Sequence, residues 1–95
     1  MPEMRFRITW PDGSTESCYS PSLVINDYFA VGETYALADF LTRSRTALTI
    51  ASERVRAKYG YPCSRALGQL ARIETTSKQF VSVAGAHVGV IAFED

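Results

Sequence analysis

The sequence is poor in the residues that chemistry usually needs. Among 95 residues there is one histidine, His87, and two cysteines, Cys18 and Cys63. One imidazole and two thiols scattered along the chain do not resemble a zinc site, so no metal is expected. Two thiols cannot build a disulfide framework. The six glycines are isolated. The segment Val31 to Thr34 lacks both the glycine pattern and the lysine of a phosphate-cradling loop. Asp39 and Glu53 lie on one helical stretch but about 20 Å apart at 1.5 Å per residue, too far to work as a general acid and base. No run of about 18 apolar residues exists, which argues against a membrane span. Net charge is also missing: ten basic and ten acidic residues cancel. No strong field then steers the chain to nucleic acid or to an anionic membrane. These absences lead us to expect no catalytic constellation and no cofactor.

What remains is an ordinary globular mix, 46% apolar and 21% charged. The length fits one domain, residues 1–95. A chain this short buries only roughly 60–65% of its unfolded surface, so a partner would help it. Met1 to Arg7 is charged and alternating, unlike a signal peptide, and a reduced cytoplasmic protein is the expectation.

The first element reads as a β-hairpin. Met4, Phe6, Ile8 and Trp10 alternate with Arg5, Arg7 and Thr9, the period of a half-buried strand. Asp12-Gly13 follows, the dipeptide favoured in two-residue hairpin loops. With that loop, Trp10 faces Thr15, Ile8 faces Ser17 and Phe6 faces Tyr19. One sheet face is then Phe6, Ile8, Trp10 and Tyr19. The other is Arg5, Arg7, Thr9, Glu16 and Cys18, facing water or a partner. Ser20-Pro21-Ser22 ends the second strand.

Leu23 to Val31 reads as an ordered connector with a possible short strand. From Glu33 to Tyr59 there is no glycine or proline. Leu37, Phe40, Leu41, Ser44, Leu48, Ala51 and Val55 fall on one helical stripe. Glu33 is expected in the first turn and Gly60 as the C-cap. Ser/Thr residues between Thr42 and Thr49 make a kink or break there conceivable. Ser64 can cap a second helix, with Ala66, Leu67, Leu70, Ala71 and Ile73 buried. Gly68 within it suggests close approach to another element. Phe80 to Val83 and Ala86 to Phe93 are both strand-like. The order β-β-α-α-β describes an α+β fold: a hairpin, two helices with the first long, and C-terminal strand(s) joining the sheet.

Three functional readings arise from the residues. Cys18 and His87 would make a nucleophile–base pair if the last strand lay beside the hairpin, although neither cysteine carries a local nucleophile signature. Arg43 and Arg45, with Tyr19 and Ser20, are candidates for holding an anionic metabolite, as in a sensor or carrier. The plainer reading of those arginines is a solvated helix face paired with Glu53 and Glu74. The tyrosines and phenylalanines are too many for one small core, so some rings should stay at the surface and favour association. A two-fold homodimer is the simplest use of them.

Several stretches together look familiar: Met4 to Gly13, Cys18 to Ser22, Gly32 to Phe40, Arg43 to Gly60, and Cys63 to Ala66. They resemble a family of small bacterial nitrogen-starvation-response proteins of mycobacterial type. The resemblance covers roughly residues 2–73 and fades beyond Ala71. It implies a gene cluster with a nitrilase-type carbon–nitrogen hydrolase, a radical-SAM protein, an acetyltransferase-like protein and a flavin-dependent oxidoreductase. That cluster is linked to nitrogen acquisition, including from nitriles or cyanide. No catalytic residues carry over with the resemblance. It implies an accessory protein whose partners are enzymes of the same cluster.

Overall fold

The computed structural model describes residues 3–94. Strands β1 (Met4–Thr9) and β2 (Thr15–Ser20) form the expected hairpin, but with a longer loop. The Gly13 N–H donates to Trp10 O at 2.9 Å, and the Trp10 N–H donates to Ser14 O at 2.7 Å. Gly13 has φ +88°. This is a three-residue loop, a type I turn closed by a left-handed glycine. Proline's fixed φ suits the second position of that turn, so Pro11 enters the loop. The two-residue alternative would force Asp12 as well as Gly13 to positive φ. Asp12 instead accepts from the Ser14 N–H at 2.9 Å and the Ser14 hydroxyl at 2.6 Å. These bonds hold its carboxyl below the usual carboxylate pKa.

The extra loop residue moves the register by one and corrects the expected faces. Phe6 lies opposite Cys18, Ile8 opposite Glu16, and Arg5 opposite Tyr19. Side chains alternate along a strand, so a slip of one exchanges the faces of β2. Cys18 joins Phe6 and Ile8 in the core, and Tyr19 goes to the Arg5 side. Glu16 falls at the rim of the core side, where its Oε1 accepts the Trp10 indole N–H at 3.0 Å.

The segment after β2 is a single helical turn, α1 (Ile25–Tyr28), rather than a strand. The Ser22 hydroxyl oxygen accepts the Val24 N–H at 3.3 Å as the turn begins. A short strand, β3 (Thr34–Ala36), follows and pairs with the start of the last strand, β4 (His87–Glu94). The long helix α2 therefore starts at Leu37, not Glu33, and runs unbroken to Tyr59. Pairing of Thr34 to Ala36 with β4 overrides their capacity for helix. Thr42 and Thr46 donate back to the carbonyls of Ala38 and Thr42, so these hydroxyls are satisfied without a break. Gly60 caps α2 with φ +86° as expected.

Helix α3 (Ser64–Ser77) follows, with Cys63 rather than Ser64 at the N-cap. It buries Ala66, Gln69, Ile73 and Ser77, while Leu67 and Ala71 point outward. A Cβ added at Gly68 would meet nothing within 4 Å, so the expected close approach is absent. Phe80 to Val83 forms no strand. Lys78–Phe80 is a 3-10 turn, and the Val83 N–H donates to Phe80 O at 3.0 Å.

The sheet is four-stranded and antiparallel in the order β2-β1-β4-β3. A bulge between Arg7 and Ile8 pairs them with Ala92 and Val90, leaving Ile91 over and exposed. Beneath the sheet runs a chain of rings. Phe80 stacks on Trp10 at 5.9 Å, Trp10 meets Phe40 edge-on at 5.7 Å, and Phe40 meets Phe29 at 5.4 Å. Phe29 stacks on Phe6 at 5.9 Å. Each such contact is worth about 1 kcal/mol beyond area burial. Tyr59 and Tyr61 are the rings left outside, at the tip between α2 and α3.

Replacing Gly13 by alanine puts a Cβ into the left-handed region. We expect a loss of about 1 kcal/mol in urea unfolding; an unchanged midpoint would contradict the turn geometry.

Candidate functional site

The Cys18–His87 pair does not form within one chain. Both Cys18 and Phe93 align with Phe6, whereas His87 lies at the other end of β4 and aligns with Ala36. At about 3.3 Å per residue, thiol and imidazole stand roughly 20 Å apart. A nucleophile and its base must lie within about 3 Å. Cys18 is also fully buried, and burial, with the Glu16 charge adding to it, pushes its thiol pKa up, away from thiolate. The His87 ring hydrogen-bonds locally to the Gly85 carbonyl.

Arg43 and Arg45 are turned to different neighbours. Arg43 donates from Nε to Asp39 Oδ2 at 3.0 Å and from Nη1 to the Tyr28 carbonyl at 2.7 Å. Its guanidinium also lies 4.8 Å from the Tyr35 ring. It thus ties α1 and β3 to α2. Arg45 pairs with Glu74 at 2.9 Å and ties α2 to α3. Glu74 was the partner expected for a solvated helix face, though the bond runs between helices. Ser20 is buried, and its hydroxyl donates to the Ser22 carbonyl at 2.7 Å. The arginine that reaches this turn is Arg54, donating to the Ser22 hydroxyl at 2.8 Å.

Tyr19 has a different set of neighbours from those expected. Its hydroxyl donates to Glu3 Oε2 at 2.9 Å. The Arg65 guanidinium lies 3.8 Å from the ring centroid, and Arg5 approaches the same ring at 5.8 Å. Its backbone N–H, on the outer edge of β2, donates to Gln69 Oε1 at 3.0 Å. Gln69 thereby satisfies an edge group and docks α3 on the sheet. Arg65, Gly68, Gln69 and Arg72 share one face of α3, at spacings of three, four and seven residues. With Arg5 and Tyr19 they line an open cleft of about 330 Å³. Reading the sequence missed Arg65 and Arg72; their spacing around Gly68 and Gln69 was the available signal.

A second concavity, of about 380 Å³, lies between the start of α2 and the loop before β4. Leu37, Leu41, Phe80, Val81 and Val83 contribute apolar walls. Val81 is 71% exposed and Val83 46%. Among the described residues, no three His, Cys, Asp or Glu side chains are grouped to hold a metal ion. No helix among them is long and apolar enough to cross a membrane.

Burial and the Glu3 carboxylate raise the Tyr19 hydroxyl pKa to about 12, against a smaller opposing effect of Arg65. The folded state therefore keeps this proton after the unfolded chain has lost its own. The stabilisation is complete below pH 10.0, the ordinary value, and disappears as pH rises through about 12. Stability followed in urea should fall more steeply between those limits in the parent than in Tyr19→Phe. Equal slopes would contradict the burial of this hydroxyl.

The comparison with known families bears on the whole of this fold. Residues 5–93 match the family model of the nitrogen starvation-induced protein NitG. No curated protein and no solved structure gives a significant match. The matched span includes β4, so the family pattern continues past Ala71, where the likeness visible in the sequence fades. Hairpin, helix pair and last strand fall together within one family pattern, and the chain belongs to the NitG family of nitrogen starvation-induced proteins.

Proposed function

We propose that this protein serves the nitrogen-starvation response as a non-catalytic accessory protein that works by association. In this reading it forms a two-fold homodimer in the reduced cytoplasm and engages enzymes encoded beside it, the nitrilase-type hydrolase foremost. The observation that carries the reading is the apolar wall of the groove beside Val81 and Val83. Two β-branched side chains stay in water there, next to Leu37, Leu41 and Phe80. Covering such surface is favourable by about 25 cal/mol per Å². A second copy is a suitable occupant because the formal net charge is zero, so two copies do not repel at long range. The free thiols Cys18 and Cys63 suit a reducing compartment.

Sedimentation equilibrium should show a dimer at micromolar concentration. Val81→Asp would place a charge in the contact, and we expect it to weaken the dimer about tenfold or more without unfolding the exposed loop. Co-purification of the parent with the nitrilase-type hydrolase tests the accessory role. A monomer that binds none of the cluster's enzymes would overturn the proposal.

A further inference from the structure

The chain has eight arginines. Arg7, Arg43, Arg45 and Arg56 each have a carboxylate partner, and Arg54 donates to Ser22. Among the described residues, only Arg5, Arg65 and Arg72 have neither an ion-pair partner nor a hydrogen-bond partner for the guanidinium. All three line the same cleft on the β2 edge. Like charges gathered on one concave surface repel, and a neutral protein with ten acidic residues had carboxylates to spare for them. The neighbouring carboxylates are otherwise engaged: Glu94, opposite Arg5 in the sheet, pairs with Arg7, Glu3 accepts from Tyr19, and Glu16 accepts from Trp10 and Gln69.

Gly68 is the independent second observation. It lies on the cleft wall between Arg65 and Arg72 in the second turn of α3. Glycine is the poorest helix former after proline. Its φ is not in the left-handed region, and a Cβ there would meet nothing within 4 Å. The fold itself therefore gives no reason for glycine at this position. A ligand lying against the helix backbone does give one. Arg65 is already oriented, since its guanidinium rests on the Tyr19 ring at 3.8 Å. Arg5 is placed across the strand pair from Tyr19 by the hairpin register.

We infer that the cleft bounded by Arg5, Arg65, Gly68 and Arg72 binds a small multivalent oxyanion, a di- or tricarboxylate or a phosphate. Guanidinium forks match both groups in two-point hydrogen bonds. The cleft volume of about 330 Å³ is at the scale of small-ligand sites. The site is distinct from the one the sequence suggested: Tyr19 belongs to both, but Arg65 and Arg72 replace Arg43 and Arg45. The inference does not depend on the groove at Val81, and a failed dimer would leave it intact.

The test is titration of the full chain with citrate and, separately, with inorganic phosphate, followed by amide NMR at ionic strength held constant with NaCl. We expect saturable shifts at Gly68, Gln69 and Arg72 with at least one of the two probes. Response to citrate alone assigns a carboxylate ligand, and response to phosphate alone assigns a phosphate; either supports the site. Arg72→Gln should weaken binding about tenfold or more, the scale of one charged hydrogen bond. Gly68→Leu should weaken it as well while keeping or raising the thermal midpoint, and Arg56→Gln should leave it unchanged. No saturable shift with either probe, or equal affinity in Arg72→Gln, would overturn the inference.

Discussion

Gly13 adopts φ +88° at the tip of the first hairpin, and the register of β2 against β1 follows from it. A left-handed residue there closes a three-residue loop through Trp10 and Ser14. That loop puts Cys18 and Ser20 on the buried side and Tyr19 on the Arg5 side. It also points the Tyr19 N–H outward, where Gln69 accepts it. Helix α3 packs chiefly against α2 and meets the sheet edge through that bond, with Arg65 over the Tyr19 ring. One backbone torsion thus decides which residues of β2 meet that helix and line the cationic cleft.

The polar side chains divide accordingly. Some tie elements together: Arg43 holds α1 to α2, Arg45 holds α2 to α3, and Arg54 holds the Ser22 turn. The exposed Arg45–Glu74 pair adds at most about 1 kcal/mol, whereas the part-buried charged hydrogen bonds of Arg43 and Arg54 are each worth about 1.5–3 kcal/mol. Arg5, Arg65 and Arg72 instead gather where α3 crosses the edge of β2. Similarly, most buried apolar residues pack around the ring chain from Phe80 to Phe6, while Val81 and Val83, like Leu67 and Ile91, stay exposed.

Much of this was legible in the sequence because it rests on local periodicity. The alternation from Met4 to Trp10, the glycine cap at Gly60 and the strand nature of His87 to Phe93 are all visible without a structure. So is the α+β class. What was not legible depends on pairing at a distance. Thr34 to Ala36 looks helical until β4 is available to pair with it, and Phe80 to Val83 looks like a strand until no partner strand is there. Asp12-Gly13 suits a two-residue loop, while Pro11 favours the observed loop, longer by one residue. That single residue exchanged the faces of β2 and hid the relation of Tyr19 to Arg5 and Arg65. Arg43 and Arg45 drew attention as near neighbours in sequence, yet successive odd positions on a helix point to different elements.

The strand faces and the cleft therefore depend on this register, and proton–proton contacts across the hairpin test it directly. Arg5 and Tyr19 form a non-hydrogen-bonded antiparallel pair, whose Cα atoms approach to about 4.5 Å. A strong Hα–Hα nuclear Overhauser effect between Arg5 and Tyr19, with another between Thr9 and Thr15, is the expected result. Facing contacts of Phe6 with Tyr19 and Trp10 with Thr15 would instead require the two-residue loop. That result would return Tyr19 to the core and dissolve the cleft.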